Sequence, residues 1–288
     1  MDQPYSDRNW QSPDGLTLYF RDYDGPHDTV PVVCLHGLTR NSRDFAPLAE
    51  HLCDRHRVIV PEMRGRGQSD YAPDSATYSP LVYVQDVEAL LAQEGISRFV
   101  SIGTSMGGLM TMIMAATDAS RIAGAVINDV GPEIDPKGLE RIGGYVGQGR
   151  NYPTWMHAAR ALMEEHGGNF PDYGIERWLD LAKRAMVVGQ NGRITLDYDM
   201  AIAEPFKQPG NAAPPDLWPA FEALGSSPLL VIRGGLSDLL SEQTVTQMKQ
   251  RVPSSEHVTV PRVGHAPMLD EPEALAAIDA LLAEVRRA

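Results

Sequence analysis

The serine in Gly103-Thr104-Ser105-Met106-Gly107 is the residue of this chain best placed to do chemistry. The β-prone run Phe99-Val100-Ser101-Ile102 precedes it, and the helix-forming run from Gly108 to Ala116 follows. A serine between two glycines at a strand-to-helix turn has the pattern of a nucleophile elbow: small neighbours let strand and helix approach, and the sharp turn projects the hydroxyl clear of the main chain. A serine hydroxyl needs a base beside it at neutral pH. The candidate is His265, in Gly264-His265-Ala266-Pro267, on a loop between the strand-like Val258-Thr259-Val260 and the last helix. An imidazole base needs an acid to fix its tautomer and stabilise its charged form. Asp238, in Ser237-Asp238 just past Leu229-Leu230-Val231-Ile232, is the expected acid. Asp129, which follows Val126-Ile127-Asn128, is the alternative. Bond breaking by attack on a carbonyl also needs two donors for the oxyanion. The N–H of Met106, directly after the serine, and that of Leu38, in His36-Gly37-Leu38, are the expected pair.

These residues need elements that bring them together. Leu16 to Tyr23 alternates apolar and polar side chains after Pro13-Asp14-Gly15, the pattern of a hairpin strand with one wet face. Val30 to Leu35, Val58 to Val60, Phe99 to Ile102, Ala125 to Ile127 and Leu229 to Ile232 are almost continuously apolar, as strands covered on both faces must be. Helical patterns lie between them, at Asp44 to Cys53, Ser79 to Gln93 and Met106 to Ala116, and the chain closes with a helix from Glu271 to Arg286. Buried strands alternating with helices predict an α/β fold: a mostly parallel sheet with helices on both faces. Loops after parallel strands gather at one edge of the sheet, where such folds place their sites.

The alternation breaks between residues 131 and 227, where the pattern turns helical with glycine and proline joints at Gly143-Gly144, Gly147-Gln148-Gly149, Gly167-Gly168 and Pro209 to Pro215. This segment is expected to be a helical cap inserted between a core of residues 1–130 and 228–288. Asp129 would then anchor the cap entrance. Tyr145, Tyr152, Trp155 and Trp178 either line a pocket or pack the cap on itself.

At 288 residues, with 43% hydrophobic side chains, the chain has material for a sizeable core. A net charge of −13 and the lack of a basic stretch argue against a nucleic-acid partner. Cys34 and Cys53 sit in apolar surroundings and are expected to be reduced and buried. Met1 to Asp7 has neither the basic nor the apolar region of a signal peptide, and no apolar run is long enough to span a membrane, so a cytoplasmic protein is expected. His51, His56, His157 and His166 lack metal-ligand spacing, and neither a metal nor another cofactor is expected. His36 reads as a loop-fixing residue, and Arg64 to Ser69 as a structural turn. Asp270-Glu271-Pro272-Glu273 reads as the cap and first turn of the last helix.

His36-Gly37, Arg64-Gly65-Arg66-Gly67-Gln68-Ser69, Gly103-Thr104-Ser105-Met106-Gly107-Gly108, Ser237-Asp238 and Gly264-His265 occur in the order found in the α/β-hydrolase fold superfamily, and the chain resembles it over residues 10 to 285. Within that superfamily it is similar to small bacterial esterases, enol-lactonases and C–C bond hydrolases of aromatic degradation. The resemblance implies a serine hydrolase acting on an ester or lactone of a small carboxylic acid. It leaves open a C–C bond hydrolase, although those enzymes commonly carry Asn at the position of Thr104, and an acyltransferase on the same residues. A ligand receptor that kept the fold without the chemistry is the reading of a different class. Oligomeric state is not legible.

Overall fold

The computed structural model describes residues 3–207 and 216–286. The chain opens with a hairpin, β1 (Ser6–Gln11) and β2 (Thr17–Tyr23), followed by β3 (Val32–Leu35), α1 (Ala46–Leu52), β4 (Val58–Pro61), α2 (Pro80–Gln93), β5 (Phe99–Thr104), α3 (Met106–Asp118) and β6 (Ile122–Asn128). After an intervening segment come β10 (Leu229–Gly234), α9 (Glu242–Arg251), β11 (Glu256–Val260) and α10 (Pro272–Val285). Eight strands form one sheet in the order β1-β2-β4-β3-β5-β6-β10-β11. The β1–β2 and β2–β4 pairs are antiparallel, and every other pair is parallel.

Successive side chains of a strand point to opposite faces, and the core divides on that parity. Val33, Leu35, Ile59, Ala125, Ile127 and Val231 pack with α2, α3 and α9 on one face. Val32, Cys34, Val58, Val60, Val126 and Ile232 pack with α1 and α10 on the other. Both faces are thus sealed, which is why these strands carry no polar alternation. Strand β1 is absent from the sequence-based pattern because only Trp10 of its six residues is buried.

The segment between β6 and β10 holds α4 (Pro136–Tyr145), α5 (Trp155–His166), α6 (Ile175–Ala185), α7 (Glu204–Lys207) and α8 (Trp218–Leu224), as the helical pattern predicts. It also holds a three-stranded antiparallel sheet that the pattern does not show, from β7 (Asn151–Tyr152), β8 (Met186–Val188) and β9 (Ile194–Leu196). Strands of two or three residues are too short for a period of two to register. Trp218, Phe221 and Leu224 of α8 join the core cluster with α3, so the helix before residue 228 packs on the core. The proline-rich joint expected at Pro209 to Pro215 lies outside the described residues. Among the described residues no helix is long and apolar enough to cross a membrane. Cys34 is buried and Cys53 only half-buried, a correction for the second, because Cys53 caps the exposed end of α1.

Candidate active site

Ser105 sits between β5 and α3 with φ 53° and ψ −114°, a backbone conformation unfavourable for a residue with a side chain. The surrounding sequence permits it. A Cβ on Gly107 would fall 2.0 Å from the Leu35 carbonyl oxygen, and one on Gly103 would fall 2.4 Å from the Gly107 carbonyl carbon. The Ser105 N–H donates to the Asn128 carbonyl at 2.9 Å, tying the turn to the end of β6.

His265 arrives on the loop after β11. Its Nε2 lies 2.9 Å from Ser105 Oγ, and its Nδ1 lies 2.7 Å from Oδ2 of Asp129. The partner is therefore Asp129, and the expectation of Asp238 is corrected. Asp129 is the first residue beyond β6, turns at φ 55°, and is fully buried. Its Oδ1 accepts the Gly234 N–H at 2.7 Å and its Oδ2 accepts the Ser237 hydroxyl at 2.6 Å, so two further donors fix it against the histidine. These three partners, Gly234, Ser237 and His265, all lie outside the inserted segment.

Asp238 is engaged instead by Arg141 of α4, which donates to both of its oxygens, with Nε at 2.5 Å and Nη2 at 2.8 Å. Arg141 lies 97 residues from Asp238, and that separation explains why sequence ranking fails here. Burial raises the Asp238 pKa, but the Arg141 hydrogen bonds and charge outweigh it and leave the carboxyl below its ordinary value. Asp270 is likewise engaged by Arg177, at 2.5 and 2.7 Å; Glu271 is the first boundary residue of α10 and makes no side-chain cap.

The residues expected to hold an oxyanion meet at the same edge. Met106 begins α3, where the first N–H groups have no intrahelical acceptor. Leu38 follows β3, and both Leu38 and Gly37 line the cavity that also contains Ser105. Arg66, fully buried, donates Nε to the Leu38 carbonyl at 2.9 Å and Nη1 to the Arg64 carbonyl at 2.7 Å, which holds this loop against the turn after β4. Gly65 and Gly67 take φ 74° and 54°, so Arg64 to Ser69 is a turn as expected. His36 is also structural: its Nε2 accepts the Met63 N–H at 3.1 Å while its Nδ1 meets the Gly37 carbonyl at 2.7 Å. Burial, with Arg66 nearby, pushes its pKa down to about 4. Asn128 escaped sequence reading. Its amide donates to Thr104 Oγ1 at 3.0 Å and to the Pro267 carbonyl at 2.9 Å, joining the serine and histidine loops, and a lone asparagine at a strand end carries no signal of that.

A cavity of about 180 Å³ opens at Ser105 and His265. Phe170, Trp178, Leu181 and Met186 supply an apolar part of its lining, and Arg40, Arg141, Tyr145 and His166 a polar part. Tyr145, Tyr152 and Trp178 are thus lining residues, whereas Trp155 packs against the apolar cluster. Among the described residues no group of His, Cys, Asp or Glu could hold a metal ion.

Comparison with known proteins bears on the sheet and its strand order. The model of the Alpha/beta hydrolase family matches residues 32–278. The chain belongs to that family. It is 36% identical over 276 residues to a 3-hydroxybutyrate-oligomer hydrolase of Cupriavidus necator, covering 92% of each chain. It is 26% identical over 230 residues to a 2-(acetamidomethylene)succinate hydrolase of Mesorhizobium japonicum, covering 80% of this chain and 79% of that one. A solved structure of an alpha/beta hydrolase from Novosphingobium aromaticivorans superposes with a TM-score of 0.95 at 61% identity, covering 99% of this chain and 100% of that one.

Proposed function

We propose that this hydrolase is a serine carboxylic-ester hydrolase, cleaving an ester or lactone of a small carboxylic acid through an acyl-enzyme. The observation that carries the reading is the continuous line from Ser105 Oγ to His265 Nε2 at 2.9 Å and from His265 Nδ1 to Asp129 Oδ2 at 2.7 Å. Ser105 is the nucleophile, His265 the base that takes its proton, and Asp129 the acid that stabilises the resulting imidazolium. The Leu38 and Met106 N–H groups receive the oxyanion of the tetrahedral intermediate. The imidazolium returns its proton to the departing alkoxide, and water attacks the acyl-enzyme with His265 again as base. The segment inserted between β6 and β10, expected at residues 131–227, supplies a cap that selects the substrate, although α8 within it packs on the core. The 3-hydroxybutyrate-oligomer hydrolase, similar over 92% of both chains, supports linear esters of short hydroxy acids as the leading substrate class.

The test is hydrolysis of p-nitrophenyl butyrate and of the linear dimer of 3-hydroxybutyrate by the wild type and by Ser105→Ala. Turnover of either compound by the wild type, lost in a variant with unchanged circular dichroism, is the expected result. Turnover retained by the variant overturns the assignment.

A further inference from the structure

The polar part of the cavity has a built character. Arg40 stands on the loop after β3, where its Cγ and the Ser105 Cβ lie 3.5 and 3.8 Å from the point a Gly37 Cβ would occupy. Its Nε and Nη2 donate to the two oxygens of Asp44 at 2.6 and 2.5 Å. Arg141 is held in the same manner by Asp238. A bidentate carboxylate occupies one edge of a guanidinium and fixes its plane, so the other edge is presented without loss of freedom at the moment of binding. The Nη1 of Arg40 has no protein acceptor among the described residues, and Arg141 interacts in addition with the Tyr145 hydroxyl. Tyr145 in turn meets His166 edge-on, with ring centroids 5.6 Å apart.

The two arginines line the same cavity as Ser105, together with Arg150 and His166. Arg40, Arg141 and Arg150 each have an acidic partner, in Asp44, Asp238 and Glu165. The lining is therefore close to neutral, and what it offers is directed N–H groups rather than a diffuse positive field.

We propose that Arg40 and Arg141 form a carboxylate subsite, so that the ester presented to Ser105 carries a free carboxylate, with its short aliphatic part against Phe170, Trp178, Leu181 and Met186. The proposal rests on the reading of Ser105 as an esterase nucleophile. A carboxylate there accepts charge-assisted hydrogen bonds from both arginines. A neutral isostere leaves desolvated donors unpaired, which is the discrimination that polar sites make best.

The experiment compares the linear dimer of 3-hydroxybutyrate with its terminal carboxamide. The wild type is expected to favour the acid by about tenfold or more in kcat/KM, and the ratio is expected to fall toward unity in the Arg40→Gln/Arg141→Gln double variant. Because that variant removes partners of Asp44 and Asp238, competition in the wild type gives a reading that needs no folded variant. There 3-hydroxybutyrate is expected to inhibit p-nitrophenyl butyrate hydrolysis about tenfold more strongly than 3-hydroxybutyramide. Equal kcat/KM for the two dimers, or equal inhibition by acid and amide, overturns the subsite. If Ser105 is labelled by a fluorophosphonate and both dimers are cleaved alike, the subsite alone fails. If Ser105 is unlabelled and neither dimer is cleaved, ester cleavage fails and the subsite fails with it.

Discussion

Replacing Asp129 by Asn separates the two acids that compete for His265. Oδ1 of Asp129 accepts the Gly234 N–H at 2.7 Å, and that main-chain group can only donate. The amide oxygen of an asparagine is therefore held at the Oδ1 position, and its NH2 falls where Oδ2 now faces His265 Nδ1 at 2.7 Å. Two donors cannot share that contact, so His265 must carry its proton on Nε2, the nitrogen 2.9 Å from Ser105 Oγ. A histidine protonated there cannot take the serine proton. The same exchange in a serine-protease triad costs about 10⁴ in kcat. The expectation here is a loss of about 10³ to 10⁴, or about 4 to 5.5 kcal/mol of transition-state stabilisation. Asp238→Asn removes an ion pair to Arg141 and leaves the hydrogen bonds of His265 in place, so its loss of kcat should be about tenfold or less. The assay is kcat for p-nitrophenyl butyrate, with circular dichroism to verify folding. A loss of about 10³ or more in Asp238→Asn together with a loss under about tenfold in Asp129→Asn refutes the reasoning.

Other residues give independent outcomes. Gly107→Ala should cost about 3 kcal/mol in urea unfolding, because its Cβ lands 2.0 Å from the Leu35 carbonyl oxygen, and a cost below about 1 kcal/mol would mean that β3 and α3 separate freely. Asp86→Ala should cost about 3 kcal/mol in the same measurement, since it leaves the buried Arg64 guanidinium with Asp14 as its remaining partner. His36, with a folded pKa of about 4, is neutral in the native state while the unfolded chain takes up a proton near pH 6.5. Its contribution to stability is complete above that pH and declines as pH falls toward 4, with a slope of up to about 1.36 kcal/mol per pH unit. Unfolding free energies from pH 7 to 4 should therefore be less steep in His36→Gln than in the wild type, and equal slopes would contradict the neutral native histidine.

The parallel sheet is legible because its strands, covered on both faces, carry apolar runs such as Val32–Leu35 and Ala125 to Ile127. Ser105 is legible because its strained backbone demands small residues at Gly103 and Gly107, and that demand is local. His265 is legible from its place after the last strand. The acid is different. Asp129 and Asp238 both follow strands of the same edge, and what separates them is a salt bridge from Arg141 in the inserted segment and the donors Gly234 and Ser237. Those contacts join residues about a hundred positions apart, which no local pattern encodes. The small sheet around β9 escaped for a plainer reason, its strands of two and three residues being too short for the alternation that reveals strands to repeat.

Covalent labelling by a fluorophosphonate reads whether Ser105 is an activated nucleophile. The protein is treated with a fluorophosphonate, digested, and mapped by mass spectrometry. One adduct is expected, on the peptide carrying Ser105, abolished in Ser105→Ala and greatly slowed in His265→Gln, whose amide cannot serve as base at Ser105 Oγ. No adduct, or an adduct on another residue that survives Ser105→Ala, would contradict it.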